Sequence, residues 1–239
     1  MAERAVRGAV LFDLDGTFAD TAPDMGRALN RLLASRGRAV LPAGHIRPHV
    51  SNGARGMIRI GFGLLPGDDG FDDLRAEFLS LYAEAICRDT RPFPGITELL
   101  AALERDGRPW GIVTNKPGWL TNPLLAEMTP EHRLRERAAC IVSGDTAPRP
   151  KPHPDPLLHA CARIGCNPAA SWYIGDDARD IQAGQSAGMR TLAAAWGYLG
   201  TGDAPADWGA DGLIDHPLEV MDWVRSSTPP RAVAATTDD

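Results

Sequence analysis

A short apolar run, Gly8 to Phe12, stops at two aspartates that flank one leucine, in Val10-Leu11-Phe12-Asp13-Leu14-Asp15-Gly16-Thr17. The next run of strand character, Trp110-Gly111-Ile112-Val113, begins about 95 positions later, although a crossover between neighbouring parallel strands needs only about 30 residues. Everything between them reads as helix or connection. That pairing of an early buried strand with a long helical excursion limits the fold more than any other feature of the chain.

The excursion has a definite grammar. A helix begins near Asp20-Thr21-Ala22-Pro23, where proline suits the first turn, and Met25, Leu29, Leu32 and Leu33 keep helical spacing up to a stop at Gly37. Leu41 to Val50 is a connection that carries His45 and His49, read as surface residues, and Ser51-Asn52-Gly53 is a turn into a helix through Met57, Ile58 and Ile60. Phe71, Leu74, Phe78, Leu81, Tyr82 and Ala85 form an apolar stripe, which points to core packing. No strand is expected between Asp20 and Arg88.

At Arg91-Pro92-Phe93-Pro94-Gly95 the composition changes, as at a domain boundary. From there helices and strands alternate. Strands are expected at Trp110–Val113, Ala139–Val142, Trp172–Ile174, Thr191–Ala195 and Gly212–Ile214. Helices are expected at Ile96–Leu103, from Pro117 with a break or kink at Pro123, and at Asp155–Ile164, Ala178–Ala187 and Pro217–Val224. Such alternation predicts an α/β fold with a mainly parallel sheet flanked by helices. The expected organisation is a core of residues 1–19 and 92–225, an inserted all-helical domain of residues 20–91, and a disordered tail of residues 226–239 rich in Thr, Pro, Ala and Asp.

The chain has 239 residues, long enough to bury a substantial core, and its net charge of −6 comes without a basic run, so no nucleic-acid surface is expected. No apolar stretch is long enough to cross a membrane. The cysteines, Cys87, Cys140, Cys161 and Cys166, lack Cys-x-x-Cys spacing and read as free buried thiols, which fits a reducing cytoplasm.

The chemistry gathers where apolar runs end. The first ends in Asp13, and the Trp110 run ends in Thr114-Asn115-Lys116. Cys140–Val142 leads through Ser143-Gly144-Asp145 to Lys151, which sits in a proline-rich segment read as stiff and extended. Trp172–Ile174 leads through Gly175 into Asp176-Asp177, with Asp180 one turn on. In an open parallel sheet the carboxyl ends of the strands share one edge, where ligands bind. Each residue taken alone could be a helix cap or a solvated side chain; four successive strand ends doing so together is the weaker explanation.

In that order, Asp-x-Asp-Gly-Thr, Thr-Asn-Lys, Lys-Pro-x-Pro and Gly-Asp-Asp-x-x-Asp, the chain resembles haloacid dehalogenase (HAD) superfamily phosphatases that carry a helical cap between the first and second motifs. The likeness spans Val10 to about Val224. Asp13-Leu14-Asp15-Gly16-Thr17, Val113-Thr114-Asn115-Lys116-Pro117 and Lys151-Pro152-His153-Pro154 look like phosphoglycolate phosphatases. Ser51-Asn52-Gly53-Ala54 and Trp208-Gly209-Ala210 are also similar to N-acetylmuramic acid 6-phosphate phosphatases, enzymes of peptidoglycan recycling.

The resemblance implies a HAD-like Rossmannoid core and two-step phosphomonoester hydrolysis. Asp13 is the expected nucleophile and Asp15 the expected acid/base, with Thr114 and Lys151 holding the phosphoryl oxygens. Hard oxygen ligands indicate Mg²⁺, held by Asp13, the Asp15 backbone carbonyl and Asp176, with Asp177 and Asp180 in the outer shell. Asn115, Asn52, Gly53 and Arg55 are the expected substrate contacts, Arg55 meeting a substrate carboxylate. The expected partner is a small phosphorylated, carboxylate-bearing molecule, and the protein a monomer or homodimer. A phosphosugar mutase and a receiver-type signalling domain share parts of this constellation, but a receiver has neither the insertion nor an equivalent of Asp15.

Overall fold

The computed structural model describes residues 8–128, 133–200, 202 and 204–226. Strands β1 (Val10–Phe12), β4 (Trp110–Val113), β5 (Cys140–Val142), β6 (Trp172–Gly175), β7 (Arg190–Ala194) and β8 (Gly212–Ile214) form one sheet in the order β5-β4-β1-β6-β7-β8. Every pairing is parallel. From β1 the chain builds β4 and β5 on one side, then crosses to β6, β7 and β8 on the other. The order therefore reverses beside β1, the position at which an open parallel sheet leaves a crevice for ligand.

Register sets the level of each strand end. Phe12 pairs with Ile112 on one side and Ile174 on the other. Asp13 therefore emerges level with Val113 and Gly175, one residue before Thr114 and Asp176. The Asp13 N–H donates to the Ile174 carbonyl at 2.9 Å, and that of Thr114 to Val142 at 2.9 Å. The central strands are fully buried with near-continuous apolar sequence, because helices cover both faces. These helices include α5 (Ile96–Arg105), α6 (Gly118–Glu127), α8 (Asp155–Ile164) and α9 (Ala178–Ser186), with a short α7 (Leu134–Arg137) between α6 and β5.

Between β1 and β4 the chain forms α1 (Ala22–Ser35), α2 (Ala43–Ile46), a 3₁₀ turn over Arg47–Asn52, α3 (Gly53–Phe62) and α4 (Phe71–Ala83). Pro23 lies in the first turn of α1, and Gly37 adopts φ +65° just past its end. Phe71, Leu74, Phe78 and Tyr82 form the buried face of α4.

Four local expectations are corrected. The run from Leu41 to Val50 is largely helical, not a plain connection. A two-stranded antiparallel ribbon, β2 (Ala19–Asp20) with β3 (Arg91–Pro92), joins the two ends of the helical segment. Asp20 thus lies in a strand, a pairing of two residues per side being too short to show any periodicity. Of the break or kink expected at Pro123 the break is absent: α6 continues through it, with Leu120, Leu124 and Leu125 buried. The segment carrying Lys151 is a turn, not an extended rod: the Lys151–Pro152 peptide is cis, and the His153 N–H donates to the Pro150 carbonyl at 3.0 Å.

The base of the helical segment is closed by a buried carboxylate. Asp24, in the first turn of α1 and 1% exposed, accepts from the Thr90 N–H at 2.8 Å and the Thr90 hydroxyl at 2.7 Å, and also pairs with Arg27. A carboxylate buried so deeply requires such donors. Residue Ser226 closes α10 (Val220–Ser226), and the rest of the tail expectation, residues 227–239, lies outside the described residues.

Candidate active site

Gly16 allows the turn that follows β1. Its φ is +94°, and a Cβ there would stand 2.2 Å from an Asp176 carboxylate oxygen, so both conformation and space require glycine. That turn brings Thr17 against Asp176, whose Oδ1 accepts from the Thr17 hydroxyl at 2.8 Å. Asp176 Oδ2 accepts from the Tyr198 N–H at 3.0 Å and from the Ser51 hydroxyl at 3.0 Å.

Lys151 is the hub of the strand-end edge. Its side chain is 3% exposed, and Nζ donates to Asp13 Oδ1 at 2.7 Å and Asp180 Oδ1 at 2.7 Å. It also reaches the Tyr173 hydroxyl at 2.8 Å and the Val113 carbonyl at 3.2 Å. Burial pushes the ammonium pKa down, and the two carboxylates outweigh that, holding it above the ordinary lysine range. The Asn115 side chain, an expected substrate contact, lines the cavity and binds the Lys151 backbone in both directions at 3.0 Å. That clamp fixes where the ammonium points. Thr114 is buried, and its hydroxyl accepts from the Lys116 N–H at 3.1 Å.

Asp13, Asp176 and Asp180 offer carboxylate oxygens that all lie within 4.8 Å of one another. Asp180, read from the sequence as an outer-shell residue, thus stands in the same triad. Burial, together with Asp13 and Asp180, raises Asp176 to about 8, and burial with Asp13 and Asp177 drives Asp180 upward against the pull of Lys151. Asp180 Oδ2 is buried with no hydrogen-bond partner among the described residues. An all-oxygen donor set under mutual repulsion, with one acceptor left over, fits a hard divalent cation.

Asp177, the other expected outer-shell residue, lines the cavity and is held by Arg179. It caps α9 by accepting from the Arg179 N–H at 2.9 Å and pairs with the Arg179 guanidinium at 2.8 Å. Burial raises its pKa and Arg179 overrides that, leaving the carboxyl below its usual range. Arg179 also donates to the Ser51 carbonyl at 2.8 Å, so Ser51 ties the helical segment to the sheet edge by both backbone and side chain. Asp15 Oδ1 accepts from Lys116 Nζ at 2.8 Å and from the Thr21 hydroxyl at 2.7 Å.

Asp13, Asp15, Ser51, Thr114, Asn115, Lys116, Lys151, Asp177, Arg179 and Asp180 line one cavity of about 560 Å³, with Asp176 buried behind them. Asn52, Gly53 and Arg55 line it from the helical side, as does Arg75, which sequence reading passed over. The apolar part of its wall includes Met25, Phe78, Leu79, Tyr82 and Leu120. The supporting residues Thr17, Ser51, Lys116, Tyr173, Arg179 and Tyr198 were not singled out in advance either. Thr17, Ser51 and Lys116 had a signal, as members of the motifs already quoted; Tyr173, Arg179 and Tyr198 act through contacts between distant parts of the chain.

Haloacid dehalogenase-like hydrolases match residues 10–194. The N-acetylmuramic acid 6-phosphate phosphatase of Pseudomonas aeruginosa is 43% identical over 214 residues, covering 90% of this chain and 93% of its own. A phosphoglycolate phosphatase of Xylella fastidiosa is 44% identical over 208 residues, covering 87% and 89%. Among solved structures, a chain from Haemophilus somnus described as a predicted phosphoglycolate phosphatase superposes with a TM-score of 0.79 at 24% identity, over 92% of this chain and 99% of its own. CbbY of Rhodobacter sphaeroides, solved with phosphate, gives 0.71 at 24% identity, over 90% and 96%. The fold, the strand-end constellation and the extent of these matches agree, and the chain belongs to the haloacid dehalogenase-like hydrolases.

Proposed function

We propose that the protein is a phosphoric monoester hydrolase of the phosphoglycolate phosphatase or N-acetylmuramic acid 6-phosphate phosphatase type, acting on a small carboxylate-bearing phosphomonoester through an aspartyl-phosphate at Asp13. The observation that carries this reading is the hub at Lys151: one buried ammonium bridges Asp13 and Asp180, while Thr114 and Asp15 face the same cavity from adjacent strand ends.

In this reading an Asp13 carboxylate oxygen attacks phosphorus and the ester oxygen leaves. Asp15 protonates the leaving oxygen, then accepts a proton from the water that cleaves the acyl phosphate. Lys151 and the Thr114 hydroxyl hold the phosphoryl oxygens as charge spreads over them, so they act without reorganising during the step. Mg²⁺, held by Asp13, Asp176 and the Asp15 backbone carbonyl with Asp180 beside them, would neutralise the crowded carboxylates and phosphoryl oxygens when bound. The helical segment 20–91 serves as a cap over the strand ends, excluding water and selecting the leaving group. Arg55 and Arg75 supply positive charge on that side, and Asp177 keeps the Ser51 turn in place through Arg179. The four free thiols suit a reducing cytoplasm.

Cavity size favours the larger of the two candidate substrates. A two-carbon acid phosphate would occupy a small part of about 560 Å³ and leave the apolar wall bare. The phosphate of an N-acylated sugar acid would cover that wall and still bring a carboxylate to the arginines. The test is kcat/KM for N-acetylmuramic acid 6-phosphate and 2-phosphoglycolate, with Mg²⁺ present. The expected result is phosphate release from both and a preference for the sugar acid; release from neither would overturn the reading.

A further inference from the structure

Lys116 is a buried ammonium, 9% exposed, to which the mechanism above gives no part. Its Nζ donates to both Asp15 oxygens, at 2.8 and 3.1 Å. On its other side lies the ring of Tyr82, with the centroid 4.8 Å away. Tyr82 belongs to α4, is 1% exposed, and its hydroxyl has no hydrogen-bond partner among the described residues, so its contribution here is its ring face. Lys116, Asp15 and Tyr82 all line the cavity.

The arrangement has a physical logic. Asp15 lies in the turn beyond β1, outside the ladder that fixes Asp13. Its side chain therefore owes its direction to the donors it meets. A buried ammonium is costly unless neutralised, and a carboxylate on one side with an aromatic face on the other confines it to one position. Proton transfer to a leaving oxygen demands that confinement, because a misplacement of about 1 Å costs up to about a hundredfold in rate.

We propose that Lys116 is a positioning residue for Asp15, seated by the face of Tyr82, so that the acid/base carboxylate is aligned with the leaving oxygen when α4 sits over the strand ends. The inference rests on the acid/base role given to Asp15 above. If it holds, losing Lys116 hurts substrates that need a proton on the leaving oxygen more than those that do not.

The experiment compares kcat/KM for an alkyl phosphomonoester with that for p-nitrophenyl phosphate, whose leaving group departs without a proton. Asp15→Asn is the reference and is expected to depress the alkyl-to-nitrophenyl ratio most. Lys116→Met is expected to lower the ratio about tenfold or more, and Lys116→Arg to recover part of it. Tyr82→Leu is expected to lower it by up to about tenfold, and Tyr82→Phe, which keeps the ring face, by less. The double variant Lys116→Met/Tyr82→Leu is expected to match Lys116→Met alone, since the ring acts through the ammonium. Equal losses on both substrates for Lys116→Met and Tyr82→Leu, in variants whose melting shows them folded, would overturn the inference. An unchanged ratio in Asp15→Asn would instead overturn the role given to Asp15.

Discussion

The two sides of the cavity are built differently. On the sheet side Asp13, Thr114, Lys151, Asp176 and Asp180 are each 9% exposed or less, and hydrogen bonds hold each of them. On the helical side Asn52 and Arg55 are exposed, as is Arg75. The sheet side meets a phosphoryl group common to any phosphomonoester, so its donors can be fixed in advance and covered from water. The helical side meets whatever the phosphate is attached to, and exposed arginines there can adapt at little cost to the fold.

This contrast predicts that damage on the sheet side reaches both stability and turnover, whereas damage on the helical side reaches substrate affinity. Lys151→Met is the most severe case. It removes the phosphoryl contact, with an expected loss in kcat of about a hundredfold or more. It also leaves Asp13 and Asp180 buried without their cation, at about 3–5 kcal/mol of stability by denaturant unfolding. An undiminished melting point in this variant would show the hub to be less dry than the geometry indicates. Arg55→Ala should raise KM about tenfold for a carboxylate-bearing substrate, leave kcat nearly unchanged, and have little effect on a phosphomonoester without a carboxylate. Equal effects on both substrates would place Arg55 on the phosphate instead.

The smallest expected effect concerns metal and pH. Asp176 is raised to about 8, so in the metal-free protein its charged form penalises folding above that value, and the penalty is relieved as pH falls toward the ordinary carboxylate range. A cation at the triad removes the same penalty but must displace a proton at low pH. Mg²⁺ should therefore raise Tm by a few degrees more at about pH 8.5 than at about pH 6. Identical shifts would contradict the assignment of Asp176 to the metal.

The same division explains what the sequence disclosed. Strand ends were legible because a buried parallel strand is a continuous apolar run, and the residue that stops the run is visible: Asp13, Thr114 and Gly175-Asp176 all announce themselves this way. Lys151 was legible from its motif, yet its turn was not, since a proline-rich string reads as stiff before its neighbours bend it. The β2–β3 ribbon is two residues wide and carries no periodicity. Tyr82 belongs to a core stripe and is buried as expected, but a stripe does not tell which ring edge or face a lysine from a distant strand end will meet. Ser51, Arg179 and Tyr198 act through contacts that only the folded chain creates.

The central claim is that Asp13 is the atom donor to phosphorus, and Asp13→Asn tests it most directly. With Mg²⁺ and a phosphomonoester turned over by the unaltered protein, the variant is expected to stay folded and to release phosphate at least about a thousandfold more slowly, mass spectrometry verifying that the new asparagine has not deamidated. Phosphate release at the unaltered rate from an intact asparagine would contradict the account.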